Sequence, residues 1–254
     1  MRIGVAGIAG RMGRLVADEV TRAGATLAGG ISQPNAGETP DQATRYENIE
    51  ELAANCDLVI DFTHAFAVAH HARALAAAGT AWVLGTTGYS DEDQKAIEAA
   101  AQKIPLIAAP NYSAGVNLVL LLAERIAAAL PAASYDAEIL EMHHRQKVDA
   151  PSGTALAIGR AVAKGRGQDF DQVAVISREG HTGPRTEGSI GFAALRGGQV
   201  VGDHSLIFAG ASEQITLRHE ASNRRVFASG AVRAALWLAG RPAGIYTMRD
   251  VLGF

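Results

Sequence analysis

Residues 141–155 of this 254-residue chain read Glu-Met-His-His-Arg-Gln-Lys-Val-Asp-Ala-Pro-Ser-Gly-Thr-Ala. The run holds two histidines, an arginine, a lysine and two carboxylates, and it lies between apolar segments. Titratable groups crowded beside apolar sequence are costly to desolvate unless they do chemistry, although the run taken alone also fits a solvated loop. His143 and His144 have side chains that can give up a proton near neutral pH, and Lys147 adds a cationic donor. Ser152 is the expected N-cap of a helix over 152–164. Its neighbours Gly153 and Thr154 then place backbone amides and a hydroxyl where an anion, such as a carboxylate, is held. Metal binding is not expected. No cysteine is near, the histidines lack i,i+4 spacing, and Lys147 repels a dication.

Such a site needs elements to hold it and a partner for its proton. The amino-terminal half alternates strand-like and helix-like segments, which predicts a parallel sheet with helices on both faces. Strands are expected at 1–6, 26–31, 58–63, 82–84 and 106–108, and helices at 14–23, 50–55, 65–78 and 90–102. Between the first strand and helix lie Gly7, Ile8, Ala9, Gly10, Arg11, Met12 and Gly13. Glycines at a strand–helix junction let backbone approach a pyrophosphate at the helix N-terminus, or simply make a tight turn. After the second strand a dinucleotide-binding unit usually carries an acid for the ribose. Here Ser32, Gln33, Pro34 and Asn35 follow instead, so strict NAD preference is not expected. Segment 35–46 is polar and is expected to be a loop. Strand ends are where open α/β sheets bind ligands. Three of them carry small or hydrogen-bonding residues: Phe62-Thr63, then Gly85, Thr86 and Thr87, then Asn111 and Tyr112.

The pattern changes near residue 113. A long apolar helix is expected at 116–130 and strands at 135–142, 174–176, 190–196, 199–208 and 214–219. Gly197-Gly198 reads as a two-residue hairpin between two of these strands. A helix at 230–238 and a short α/β tail close the chain. The expected architecture is a Rossmann-type doubly wound domain, 1–112 and 225–254, carrying an inserted mixed α/β domain, 113–224.

Net charge is -3, which gives no footprint for nucleic acid. A hydrophobic share of 48 % supports a sizeable core. Cys56 stands alone, so no disulfide framework is expected. No signal-peptide pattern and no membrane-length apolar run are read, which fits the cytoplasm. Together the motifs predict reduction of an acidic small molecule: hydride from a nicotinamide, a proton from the protein, and clamps on carboxylates.

The motifs, in order, resemble the dihydrodipicolinate reductase family. They comprise Gly7–Gly13, Asp61-Phe62-Thr63, Gly85-Thr86-Thr87-Gly88, Asn111-Tyr112-Ser113-Ala114-Gly115, residues 141–155, Ser177-Arg178-Glu179-Gly180-His181 and Gly230-Ala231-Val232-Arg233. The resemblance spans nearly the whole chain. It implies NADPH or NADH as cofactor, a cyclic imine dicarboxylate as substrate, and a homotetramer built through the substrate-domain sheets. It implies His143 as proton donor and Lys147 as second catalytic group. His144, Gly153 and Thr154 would hold substrate carboxylates. Gly7, Ile8, Ala9, Gly10, Arg11 and Met12 would contact the cofactor, with Ser32, Gln33, Gly85, Thr86, Thr87, Ala109, Pro110, Asn111 and Tyr112. Two departures stand out: many members carry an acid and then a base where this chain has Ser32 and Gln33, and Pro110 replaces a usually small residue. Another two-domain nicotinamide dehydrogenase would share the glycine turn without needing the full His-His-Arg-x-Lys run. A non-catalytic dinucleotide sensor would need no intact proton-donor motif.

Overall fold

The structure is a computed structural model that describes residues 1–33, 37, 39, 40 and 43–254. Pro34, Asn35 and part of the expected 35–46 loop lie outside the described residues. The chain forms two compact units: Met1–Ala114 with Arg224–Phe254, and Gly115–Asn223.

The first unit is built on a six-stranded parallel sheet of β1 (Arg2–Ala6), β2 (Thr26–Ile31), β3 (Leu58–Asp61), β4 (Ala81–Leu84), β5 (Pro105–Ala108) and β11 (Gly244–Tyr246). Their order is β11-β5-β4-β3-β1-β2. Alternate residues of each strand feed opposite faces. Ile3, Val5, Leu58, Ile60 and Val83 pack against α1 (Arg11–Arg22) and α8 (Arg225–Leu238). Val59, Trp82, Leu84 and Leu106 pack against α2 (Ile49–Ala54), α3 (Val68–Ala78) and α4 (Asp91–Ala101). Local chemistry sets the helix ends. Ser90 and Asp93 form a capping box at the start of α4. Gly79 closes α3 in the left-handed conformation.

The second unit has a mixed five-stranded sheet. It contains β6 (Asp136–His143), β7 (Ala174–Val175), β8 (Ile190–Arg196), β9 (Gly202–Ala209) and β10 (Gln214–Ala221), in the order β10-β9-β6-β8-β7. Ala137, Ile139, Phe192, Leu206 and Phe208 form its core with α5 (Ala114–Ala129) and α6 (Gly153–Arg166). A short helix, α7 (Phe170–Val173), precedes β7.

Several sequence expectations are corrected here. Gly197-Gly198 does not make a hairpin: β8 pairs in parallel with β6, and β9 pairs with the other edge of β6. The central position goes to β6, and the turn after β8 crosses its end. Gly197 N–H donates to His143 O at 2.9 Å, and Arg145 N–H donates to Gly198 O at 3.3 Å. The expected helix at 14–23 begins at Arg11, because the glycine turn ends at Gly10 and leads straight into helix. The expected helix at 65–78 opens as a 3-10 turn, Ala65–Ala67. The last long helix starts at Arg225 rather than 230.

Close backbone approach makes several glycines obligatory, Gly13 and Gly230 with the shortest backbone distances. A Cβ at Gly13 would sit 2.0 Å from Gly7 O, and one at Gly230 would sit 1.9 Å from Tyr112 O. Gly13→Ala and Gly230→Ala should each lower unfolding free energy by about 1–3 kcal/mol, as overpacking does. Gly153→Ala, whose Cβ would meet nothing within 4 Å, should change it by less than about 0.5 kcal/mol. Urea denaturation reads all three, and equal stability of Gly13→Ala and wild type would contradict the packing.

Candidate active site

In the second unit the site follows from strand alternation. Residues 137, 139, 141 and 143 of β6 share its buried face. The first two are apolar, whereas the last two are Glu141 and His143. Glu141 is 1 % exposed and His143 8 %. His143 Nδ1 lies 2.7 Å from Glu141 Oε2.

Neighbouring strands supply the partners through register. The parallel β6/β8 pairing sets Arg196 beside His143, and the antiparallel β6/β9 pairing sets His204 opposite Glu141. The Arg196 guanidinium donates to both Glu141 oxygens at 2.7 and 2.8 Å, a bidentate pair. It also donates to Asp149 O at 2.6 Å. Ser152 N–H donates to Glu141 Oε1 at 3.1 Å. Ser152 Oγ accepts from Ala155 N–H at 3.2 Å, which makes the expected N-cap of α6, and lies 3.1 Å from His204 Nε2. The His143 and His204 rings meet edge to face, 5.1 Å between centroids. The start of α6 is thereby tied to the strand that carries His143.

Burial and charge set the protonation of this cluster. For Glu141, burial favours the neutral acid, but the hydrogen bonds from Arg196 and His143 outweigh it and hold the carboxyl below its ordinary range. Burial lowers the His143 imidazole; the Glu141 carboxylate opposes that, and Lys147 and Arg196 add to the lowering. Burial takes His204 down to about 4, so it is neutral at neutral pH.

The other expected residues are near in sequence but differ in setting. His144 follows β6 and is half-buried; Lys147 N–H donates to His144 O at 3.1 Å. The Lys147 ammonium pairs with Asp149 at 2.8 Å. Gly153 and Thr154 open α6, where first-turn amides lack intrahelical acceptors. The segment with Ser177 and Arg178 has a bracing part to play. Arg178 makes a bidentate pair with Glu138 at 2.8 Å, and Arg185 reaches Glu138 at 2.9 Å and Asp136 at 2.7 Å. Both arginines pin that loop to the start of β6.

In the first unit two adjoining cavities share Gly10, Phe62, Thr63 and His64. One is also lined by Gly7, Ile31, Ser32, Gln33 and Glu47. The other is lined by Arg11, Met12, Gly85, Thr86, Thr87 and Arg224. Gly7 has φ +84°, and a Cβ there would meet Phe62 O at 2.7 Å, so the turn requires glycine. The amides of Gly7 and Ile8 donate to Ile31 O, and that of Gly10 to Gly7 O. The amides that helix geometry leaves for an anion are those of the first turn, Arg11 and Met12. Burial, and then the charge of Arg11, lowers the Arg224 guanidinium. Two cations gathered at one cavity with helix amides suit a pyrophosphate.

Beneath these cavities Asp61, fully buried, accepts from Thr63 N–H at 3.0 Å and from Thr63 Oγ1 at 2.7 Å, and lies 2.7 Å from His71 Nδ1. Thr63 N–H also donates to Thr86 Oγ1 at 3.0 Å. Ile8 is fully buried in the core. Ala9, Ala109, Pro110 and Asn111 line neither cavity. Tyr112 is buried with its hydroxyl donating to Leu84 O at 2.7 Å, so its side chain braces β4. Glu47 and Arg224 escaped the sequence reading: each enters from a distant segment and neither belongs to a local motif.

A doubly wound dinucleotide sheet, on a chain that also carries a buried acid–base cluster and a helix-start anion cradle, defines a nicotinamide-dependent oxidoreductase. Comparison with known proteins fixes the family. Residues 1–112 match the family description "Dihydrodipicolinate reductase, N-terminus", and residues 115–252 match "Dihydrodipicolinate reductase, C-terminus". The 4-hydroxy-tetrahydrodipicolinate reductase of Acidiphilium cryptum is 60 % identical over 253 residues, covering 100 % of this chain and 98 % of that protein. The one from Gluconacetobacter diazotrophicus is 58 % identical, covering 100 % and 97 %. Among solved structures, dipicolinate-bound dihydrodipicolinate reductase from Paenisporosarcina sp. TG-14 superposes with a TM-score of 0.80 at 24 % identity, covering 98 % of each chain. The chain belongs to the dihydrodipicolinate reductase family, NAD(P)H-dependent oxidoreductases of lysine and diaminopimelate biosynthesis.

Arg196 is the main compensation for a buried charge. Arg196→Met should therefore cost about 2–3 kcal/mol of stability, below the full range for a broken buried pair because Arg196 keeps some exposure. Chemical denaturation at neutral pH measures this, and a loss under about 0.5 kcal/mol would contradict the pairing.

Proposed function

We propose that this chain reduces 4-hydroxy-tetrahydrodipicolinate to tetrahydrodipicolinate with loss of water, His143 giving the proton and α6 holding a substrate carboxylate. The observation that carries this reading is the shared carboxylate. Glu141 binds both His143 and the amide of Ser152, so the proton donor and the start of the anion cradle are held in one fixed arrangement. When bound, the reduced nicotinamide supplies the hydride. The residues of the second unit supply the rest. An imidazolium at His143 neutralises the charge that hydride addition puts on a conjugated imine. The amides of Gly153 and Thr154, with the ring of His144, meet the carboxylates. Lys147, held by Asp149 in this structure, turns to the substrate as second catalytic group.

On the cofactor side, Gly7, Gly10, Arg11 and Met12 take the pyrophosphate with Arg224, and the backbone beside Ile8 and Ala9 shapes the turn. Gly85, Thr86 and Thr87 line the next cavity, and Ala109, Pro110, Asn111 and Tyr112 support it from the end of β5, Tyr112 through its hydrogen bond to Leu84 O. Ser32 and Gln33 face the adenosine end without charge of their own, beside Glu47 in the same cavity lining, and no carboxylate stands in the place just after β2. Both nicotinamides are therefore accepted, with kcat/KM values within about tenfold, the effect of roughly 1.4 kcal/mol.

Assembly is proposed as a homotetramer through the open face of the second sheet. That face carries Leu140 (38 % exposed) and Leu195 (48 % exposed); Leu195 pairs with Met142 across β6/β8, two residues along from Leu140 and on the same face. The protein works in the cytoplasm; Cys56 is unpaired, and among the described residues no helix is long and apolar enough to cross a membrane. Light scattering should give four times the chain mass, and a monomer at assay concentration would contradict the assembly.

The deciding experiment is an assay in which the synthase preceding this step generates 4-hydroxy-tetrahydrodipicolinate and oxidation of NADPH or NADH is followed separately. Both cofactors should be consumed. His143→Ala should slow turnover by roughly 10²–10⁴-fold with cofactor affinity unchanged. Lys147→Ala should also lose turnover rather than cofactor binding. Near-normal turnover of His143→Ala would refute the donor assignment, and a hundredfold preference for one nicotinamide would refute the cofactor reading.

A further inference from the structure

The cluster around His143 contains a group with no part so far in the reaction. Glu141 is buried to 1 % exposure, and it is ionised because Arg196 grips both of its oxygens. A carboxylate in that state can only accept hydrogen bonds. At 2.7 Å from Glu141 Oε2, His143 Nδ1 must therefore carry a hydrogen. The other ring nitrogen, Nε2, is then the one that gains and loses the catalytic proton. A second observation bears on that nitrogen. A Cβ at position 202 of β9 would stand 3.0 Å from His143 Nε2. Glycine at 202 keeps the approach to Nε2 open, whereas the approach to Nδ1 is filled by Glu141.

We propose that Glu141 is a positioning residue that fixes His143 as the Nδ1–H tautomer, so that the proton given to the substrate leaves from Nε2, past Gly202. This rests on the reading of His143 as proton donor. The step moves one proton: the Nε2–H bond breaks, the substrate gains the hydrogen, and a neutral Nδ1–H imidazole remains on Glu141. Arg196 keeps Glu141 from taking the proton itself.

The charges facing His143 come from every element around it: Glu141 on β6, Arg196 on β8, neutral His204 on β9, and Lys147 with Asp149 in the loop after β6. Glu141 is the negative charge in direct contact. Glu141→Gln removes the charge and offers an amide that can either accept from or donate to Nδ1. The imidazolium is then less stable, so its proton is lost at lower pH.

Nitrogen-15 NMR of the full-length protein with labelled histidine reads the tautomer without any turnover. Above the pH at which His143 loses its charge, the wild type should show a protonated-type shift at Nδ1 and an unprotonated-type shift at Nε2. In Glu141→Gln the two forms should mix, turnover should fall by roughly 10²–10⁴-fold, and the basic limb of the kcat/KM profile should move to lower pH. A merely structural role would lower turnover without moving that limb. Gly202→Ala leaves the Glu141 hydrogen bond in place. It should retain the Nδ1–H spectrum yet slow turnover.

A wild-type His143 protonated at Nε2 overturns the proposal and leaves the reductase reading intact; if Glu141→Gln does not fold, this spectrum alone decides. An unmoved pH limb in a folded Glu141→Gln, or normal turnover of Gly202→Ala, also overturns it. Wild-type protein with the Nδ1–H spectrum but no reductase turnover supports the positioning and instead refutes the reading.

Discussion

The site in the second unit depends on one buried carboxylate. Ionised Glu141 would cost several kcal/mol to take out of water were it not matched on every side. Its partners come from three elements: Arg196 from β8, His143 from its own strand β6, and the amide of Ser152 from the start of α6. Each must arrive in register for the charge to be paid for. A slip of one residue in β6 would turn Glu141 and His143 to the open face of the sheet and leave Arg196 without its acceptor. The electrostatic demand thus acts as a register lock, and the same lock brings a histidine next to a helix start. Structure and chemistry share a single constraint here.

The first unit uses a related device. Asp61 ends β3 fully buried, with His71 Nδ1 at 2.7 Å and Thr63 and Thr86 gathered around it. In that case the carboxylate organises hydroxyls and loop backbone beneath the cavities of the first unit, whereas Glu141 organises a histidine and a helix start. Both carboxylates lie at or near the carboxyl end of a sheet strand, where α/β folds place their ligands. The glycines complete the arrangement. Gly13 and Gly230 are compelled by backbone only about 2 Å from where a Cβ would stand, so the sequence spends side chains only where the backbone leaves room.

Much of this was legible from residue order. Strand–helix alternation foretold the doubly wound sheet because β1, β3, β4 and β5 are apolar on both faces, as the two cores on either side require. Ser152 announced its cap, and Gly79 its helix end, because both are local hydrogen-bond or dihedral effects. Long-range partnerships were not legible. Arg196 and His204 lie more than 50 residues from Glu141, and only the order β9-β6-β8 makes them neighbours. The Gly197-Gly198 turn looked like a hairpin because local sequence reports a turn but not which strand fills the gap beside it. Arg224 and Glu47 reach the two cavities of the first unit from segments with no binding motif of their own. Asp149, too, gained meaning only in three dimensions, as the partner of Lys147.

Direct transfer from the nicotinamide into the dicarboxylate ring is the claim on which everything functional rests. It is tested by mass spectrometry of the product formed in ordinary water with NADPH doubly deuterated at nicotinamide C4. One deuterium should appear on a ring carbon of tetrahydrodipicolinate, and cofactor oxidation should match product formation. Product without deuterium, or cofactor oxidation without product, would contradict it.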